Sequence, residues 1–287
     1  CIGASAGAGV MNADADGSIA IGYTSMNANT EGQRNTALGF QTLLYPTTGA
    51  DDCVAIGYNA MSGNWTTAAN TQNVAIGNYC MDAVMTGANY NTSVGFNTLS
   101  ALTSGDGNTV IGTSAGNAIT TGGNNVCIGV SAGDAFDTES DNIFVGANAG
   151  GGGSLAVGST IGIGSSALTA LTSGAGNTAV GYQAGAEFTT GGYNTAIGYE
   201  AMHDTGGRPA SGYNTAVGHN SMGGQWGTGA DVGYNTAVGR GTMAAALDGA
   251  SNNVAVGNNS LGALTSGDNN TIIGSLAGDG FDAESDN

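Results

Sequence analysis

A five-residue motif ending in glycine recurs along the whole chain and limits what the chain can fold into. It is clearest at residues 194–198, 214–218 and 235–239, which read Asn-Thr-Ala-Ile/Val-Gly. Sixteen copies align on the glycine, at intervals of 17 to 21 residues, most often 17. A fixed period of this length is typical of a solenoid whose repeats stack as coils. The anchor glycines are residues 3, 22, 39, 57, 77, 95, 112, 129, 146, 164, 181, 198, 218, 239, 257 and 274. The period predicts an all-β chain, a parallel β-solenoid (β-roll) of about sixteen coils.

Positions in the repeat are numbered as columns, with the anchor glycine in column five. Column four is Ile, Val or Leu in all sixteen copies, and column two is Thr, Val or Ile wherever it is present. Because side chains alternate along a strand, columns two and four lie on one face, and their β-branched residues suit a packed surface. We expect that face to form the interior of the coil.

Column three points to the opposite face of the same strand. It is Ala in nine copies and otherwise mostly small or apolar, as at Ser93, Cys127 and Gly162. A solvated face would carry polar residues there, so the pattern predicts that a second surface covers column three. The cover is either another wall of the coil or another chain, and we interpret the column as the best sequence evidence for a homo-oligomer.

Columns one, five and nine have predicted structural roles. Column one is Asn in twelve of fifteen copies, and stacked Asn side chains form an amide ladder. The column-five glycine suits a sharp corner in each coil. Six of the eight methionines occupy column nine, where flexible core filling is the expected role. The clearest structural residues are Gly22, Gly57, Gly198, Gly218, Gly239, Asn194, Asn214 and Asn235.

Composition excludes several classes of partner. The chain has no lysine, and three arginines against 21 acids give a net charge of −18. Nucleic-acid binding and adsorption to an anionic membrane both need basic surfaces, so neither partner is expected. No run of 18 apolar residues occurs, so no membrane insertion is predicted. The four cysteines replace small residues of the repeat and are expected to be buried.

The chain begins and ends within a repeat. We therefore interpret residues 1–287 as a single continuous β-roll array and as an internal section of a longer chain. Joining the end of one copy to the start of another would give a glycine spacing close to the common one. End-to-end stacking into a filament is therefore an alternative.

The longest intervals between glycines are candidate binding loops. Trp65 and Trp226 lie in two of them, and the third contains His203 and Arg208. Extended loops of solenoids often carry binding residues, and exposed aromatic rings stack on sugars or anchor proteins. The alternative is that each tryptophan folds back over its own loop.

Two acidic loops nearly repeat one another. Clustered carboxylates beside backbone carbonyls suit calcium, and a solvated acidic turn is the alternative. The candidate ligands are Asp134, Asp137, Glu139 and Asp141 in one loop and Asp279, Asp282, Glu284 and Asp286 in the other. A shorter related stretch is Asp-Ala-Asp-Gly at residues 14–17. No other cofactor is predicted.

Stretches such as Ser-Ile-Ala-Ile-Gly-Tyr at residues 18–23 and Asn-Val-Ala-Ile-Gly at 73–77 resemble the head repeats of trimeric autotransporter adhesins. The Asn-Thr-Ala-Val-Gly form also resembles repeats of phage tail-fibre and bacterial surface-fibre proteins. The resemblance implies a left-handed roll, three chains around one axis and an extracellular location on a cell surface or virion. The adhesin repeat is shorter, so these coils carry longer turns.

These observations predict a structural or adhesive extracellular fibre segment that presents repeated loops for multivalent attachment to a host-surface glycan or protein. The alternatives are a self-polymerising filament, an ice-binding solenoid and a polysaccharide-cleaving β-helix. Regular Thr rows favour ice binding only if they are uncovered, whereas columns two and four are expected inside. No catalytic motif occurs, so no enzyme is predicted.

Overall fold

The computed structural model describes residues 1–8, 17–46, 49–65, 69–152, 158–206, 211–227 and 229–287. The fold is all-β, a parallel β-solenoid of about 14 turns without helix in these ranges. Accordingly, the described residues contain no helix long and apolar enough to cross a membrane. Contacts divide the chain into two compact units, residues 1–142 and 143–287.

Each unit is built from three-residue strands, one per coil, that occupy columns two to four. In the first unit they are β1 (Ile19–Ile21), β2 (Thr36–Leu38), β4 (Val54–Ile56), β6 (Val74–Ile76), β7 (Thr92–Val94), β8 (Thr109–Ile111) and β9 (Val126–Ile128), with a side sheet of β3 (Tyr45–Pro46) and β5 (Asn64–Trp65). In the second they are β10 (Ile143–Val145), β11 (Ile161–Ile163), β12 (Thr178–Val180), β13 (Thr195–Ile197), β14 (Thr215–Val217), β15 (Thr236–Val238), β16 (Val254–Val256) and β17 (Thr271–Ile273).

Successive strands pair in parallel and in column register. Thr178 pairs with Thr195, and Ala179 pairs with Ala196. The same columns meet in every strand pair within each unit. The residues of one column therefore form a row along that unit.

The predicted orientation of the strand faces was wrong. Column three is the buried column, and Ala37, Ala55 and Ala196 have no exposed surface. Columns two and four point outwards, and Leu38 and Ile197 remain 42% and 39% exposed. The oligomer contact therefore cannot be formed by the Ala column, which faces the interior of its own coil.

The reason for this orientation lies in column nine, which packs against column three from inside the coil. Met26, Met61 and Met202 are fully buried there, so column three has room for little more than a methyl group. Where column three is larger than Ser, column nine is glycine, as in Phe144 with Gly150. A Cβ on Gly150 would lie 2.5 Å from ring atoms of Phe144. Two positions therefore share one interior volume.

This shared volume predicts energetic coupling between Phe144 and Gly150. Phe144→Ala should cost about 3–5 kcal/mol through the cavity it leaves. Gly150→Met should be destabilising through overpacking while the ring is present. The double variant restores the common Ala/Met pairing, so we expect a favourable coupling of about 1–3 kcal/mol in chemical unfolding. Gly150→Met combined with Phe188→Ala, in a coil two turns away, should be additive. Additivity of the first pair would contradict the shared volume.

Column one forms the predicted amide ladder. The Oδ1 atom of Asn108 accepts hydrogen bonds from the backbone N–H and the Nδ2 of Asn125, both at 3.0 Å. Nδ2 of Asn108 donates in turn to Oδ1 of Asn91 at 3.0 Å and to the carbonyl of Gly122 at 2.9 Å. Further buried rungs follow the same pattern at Asn73, Asn142, Asn214, Asn235, Asn253 and Asn270.

The anchor glycines are the corners predicted for column five. Gly198 has a φ of 138°, and a Cβ there would collide with the carbonyl oxygen of Gly218 in the next coil. Both the backbone conformation and the close approach of coils therefore exclude a side chain.

Replacing one rung by its isostere tests the ladder. Asn253→Asp removes the amide donor that reaches the Gly267 carbonyl at 2.7 Å and Oδ1 of Asn235 at 3.1 Å. A buried, mispaired carboxyl should cost about 2–4 kcal/mol in thermal or chemical unfolding. The same change at the neighbouring, exposed Asn252 should stay within about 0.5 kcal/mol of the wild type. Equal effects at the two positions would argue against the ladder.

Candidate functional site

In each unit, the outward face of the sheet is a regular apolar surface. Column four contributes a row of aliphatic side chains, and column two contributes Thr, Val or Ile beside it. The exposed members include Ile19, Leu38, Ile76, Ile111, Ile143, Ile163 and Ile197. Monomeric soluble proteins rarely leave long contiguous apolar surfaces open, so such a face marks an interaction site.

Thr side chains fill column two of four successive coils in the second unit. Thr178, Thr195, Thr215 and Thr236 pair directly and are half-buried. Adjacent strands lie about 4.8 Å apart, and columns two and four are about 6.7 Å apart along the strand. The face is thus a regular array of hydroxyl and methyl groups.

Aromatic side chains in column six border this face on one side. Tyr23, Phe40 and Tyr58 stack with centroids 5.1 and 5.0 Å apart. In the second unit Tyr199 stacks between Tyr182 and His219, at 5.1 and 5.3 Å. The charge of the adjacent Glu200 raises the pKa of the Tyr199 phenol.

A second aromatic row borders the face on its other side, in the position before column one, here called column zero. Tyr193, Tyr213 and Tyr234 stack with centroids 5.1 Å apart at both steps and are 59%, 54% and 62% exposed. They are named here the tyrosine ladder. Sequence reasoning missed it, although the triplet Gly-Tyr-Asn stands before three successive strands at 192–194, 212–214 and 233–235.

The predicted loop residues do not form an exposed aromatic site. Trp65 is fully buried in β5, and Trp226 is 3% exposed with its Nε1–H donating to the carbonyl of Met222 at 3.2 Å. Both indoles are buried, as in the alternative in which each tryptophan folds back over its own loop, so neither offers an exposed ring face to a ligand. His203 is half-buried, and Arg208 lies outside the described residues.

The acidic loops are ordered by their own hydrogen bonds. The Glu139 carboxylate accepts from the backbone N–H groups of Asp137 and Thr138, both at 3.1 Å. Glu284 accepts from Asp282 and Ala283 in the same way. The first loop also bonds to the preceding coil, because Asp141 accepts from Asn124 at 3.2 Å. These carboxylates therefore act as turn acceptors.

Within the described residues, no three or more His, Cys, Asp or Glu side chains are grouped as a metal site. Burial raises the pKa of Asp134, and a hydrogen bond with Ser131 opposes that rise. The remaining candidate ligands, Asp279 and Asp286, are exposed, and Asp286 accepts from Asn269 at 3.2 Å. The stretch at residues 14–16 lies outside the described residues. The geometry gives calcium no convergent set of oxygen ligands here.

An open groove of about 390 Å³ near the last coils brings together His219, Arg240 and Asp279. The column register places His219 and Arg240 in column six of successive coils. Hydrolysis of a glycosidic bond generally uses two carboxyl groups. Among the residues that line this groove, Asp279 alone carries a carboxyl group. The groove thus lacks the carboxyl pair of a polysaccharide hydrolase.

Three of the four thiols are enclosed by the coils. Cys53, Cys80 and Cys127 are fully buried, as predicted, while Cys1 is exposed. Burial raises the pKa of Cys53 to about 11 and that of Cys127 to about 12.

These thiols predict a loss of stability at alkaline pH. Their folded pKa values exceed the ordinary value of 9.0, so unfolded chains lose thiol protons first as the pH rises. The free energy of unfolding should be unaffected by these groups below pH 9 and should fall between pH 9 and about 12. Urea unfolding of the wild type and of Cys127→Ala would measure it, with Cys1→Ser as the control. The Cys127→Ala variant should show a shallower decline, and an unchanged decline would contradict the assignment.

The chain gives no match to protein-family models, to curated proteins or to solved structures. The likeness to adhesin-head and tail-fibre repeats therefore stays a prediction from the repeat alone.

Proposed function

We propose that this chain is a segment of an extracellular fibre, a shaft or head of the tail-fibre or trimeric-adhesin kind. Three copies would pack around one axis and present repeated surfaces for multivalent attachment on a cell surface or virion. The observation that carries the proposal is the outward aliphatic row of column four, present in every coil of both units. A further copy of the chain is the partner best suited to cover this row, because its own column-four side chains recur at the same coil-to-coil spacing.

The outward orientation of column four favours association. The interior is already filled by columns three and nine, so the outward aliphatic side chains are at most partly buried by their own chain. Burying it against other copies contributes roughly 25 cal/mol for each Å² of apolar surface. The acidic charge keeps the remaining surface soluble and disfavours nucleic acid and anionic membranes as partners.

The fibre model expects a stable oligomer, measured by light scattering after size exclusion. Wild-type protein should elute as three protomers, while Ile111→Glu and Ile197→Glu should each weaken or abolish the assembly. A carboxylate facing its symmetry copies would be desolvated among like charges. Ser104→Glu adds the same charge in an exposed turn and should leave the mass unchanged. A wild-type monomer at high concentration would overturn the model.

Ice binding is the second candidate, favoured by the observation that the Thr rows point outwards. A regular array of hydroxyl and methyl groups can order water along two directions, provided that no protein covers it. The two functions thus compete for one face. A monomer with thermal hysteresis that Thr215→Lys removes would favour ice binding. A stable trimer without hysteresis would reject it.

The filament alternative differs in the direction of growth. Copies stacked end to end would give particles whose length rises with protein concentration, whereas side-by-side trimers have one length. Electron microscopy of the purified protein at two concentrations distinguishes them.

A further inference from the structure

The tyrosine ladder occupies a strained backbone position that other residues fill at lower cost. Tyr193, Tyr213 and Tyr234 have φ values of 58°, 60° and 58°, in the left-handed region that favours glycine and asparagine. Column zero takes this conformation in other coils too, where Asn124, Asn252 and similar residues fill it. The choice of tyrosine is therefore not required by the turn.

The stacking of coils, and not the tyrosine side chain, imposes this conformation. Column zero is left-handed at Arg34 and Gln72 as well as at the asparagines, so the cost is borne whatever residue stands there. Tyrosine adds ring stacking between neighbouring coils, which the turn itself does not require. Each tyrosine nevertheless stays more than half exposed.

Two of the three tyrosines of the ladder form one wall of a groove. Tyr193 and Tyr213 line a volume of about 320 Å³ together with Ala175, Gly192 and Gly212 at its floor. Ser173 and Thr190 line it as well. Turn residues make up this lining, and the Thr and Ile columns of the sheet face are not part of it. The groove can therefore be filled while the sheet face is covered.

The floor must be made of small residues. A Cβ on Gly212 would lie 2.7 Å from the carbonyl oxygen of Gly192, and one on Gly192 would lie 2.9 Å from that of Ala175. The stacking of coils thus keeps the floor low beneath the tyrosine wall. The planes of the rings are nearly parallel, at 11° and 1°, so their edges and hydroxyl groups, rather than their faces, point into solvent.

We propose that this groove binds a neutral polysaccharide, with one phenol hydroxyl of the ladder for each sugar step. The wall offers a hydroxyl and an apolar ring edge about every 4.8 Å, the spacing of adjacent strands. A sugar polymer presents hydroxyl and C–H groups in the same alternation, at a comparable spacing along an extended chain. No basic residue lines the groove, and the chain carries −18 overall, so an anionic polysaccharide would be repelled. This inference rests on the proposed attachment function for its purpose, but not on the trimer.

Affinity electrophoresis in gels containing hydroxyethyl cellulose, dextran or galactomannan tests the proposal, with hyaluronan as the anionic comparison. At least one neutral polymer should retard the wild type, and hyaluronan should not. The triple variant Tyr193→Asn, Tyr213→Asn, Tyr234→Asn keeps residues that suit the turn and should bind at least 10-fold more weakly. Tyr90→Asn makes the same change at an exposed column-zero tyrosine without stacked neighbours and should bind as the wild type does.

A second variant guards against misfolding of the first. Ala175→Leu leaves the tyrosines in place and fills the groove from its floor, so it should also weaken retardation. Wild-type protein that no neutral polymer retards, or retardation that survives both the triple variant and Ala175→Leu, would overturn the proposal. So would stronger retardation by hyaluronan. Light scattering on the same samples separates this outcome from failure of the fibre model, because the oligomer should persist in the tyrosine variants.

Discussion

Within each unit, the described strands of successive coils are hydrogen-bonded in the same register, and the rest of the structure depends on that repetition. A backbone that stacks on a copy of itself must reuse one set of dihedral angles in each turn. Left-handed conformations therefore recur at Gln183 and Met202 as they do at Gln41 and Met61. The buried Asn rungs fix the register, since each amide bonds both to its neighbours and to the turn beside them. A shift of one residue would leave these amides unpaired in the interior.

The narrow interior explains how the two strand faces are used. Column three and column nine divide a limited cross-section, so a residue larger than Ser in column three is accompanied by glycine in column nine. Cys127 with Gly133 and Phe144 with Gly150 illustrate this, since a Cβ on either glycine would meet the partner side chain. The interior therefore has little room for the β-branched residues of columns two and four, which are displaced to the outward face. That displacement creates the apolar surface on which the proposed assembly rests.

The same register turns single surface residues into rows. A tyrosine on an isolated turn offers one weak contact. Tyrosines in the same column of three successive coils offer that contact repeatedly, at the spacing of the coils. In a row, weak contacts to a polymer add up without any deep pocket. This is why the candidate site lies on a ladder beside the sheet, while Trp65 and Trp226 of the longer loops are buried and serve packing.

The sequence by itself determined the repeat, the parallel register, the Asn ladder and the glycine corners. Each is a local requirement that recurs at a fixed spacing, so Asn194 or Gly198 can be interpreted without knowledge of the rest of the coil. The tertiary structure alone decided which face lies inside and where Trp65 and Trp226 point. Alternation along a strand separates two faces but does not say which one is enclosed. That depends on the volume left by column nine across the coil, a contact between residues that no strand pattern relates. The sequence does show glycine in column nine wherever column three holds a residue larger than Ser. Only the closed coil explains this, because it brings the two side chains into the same interior volume.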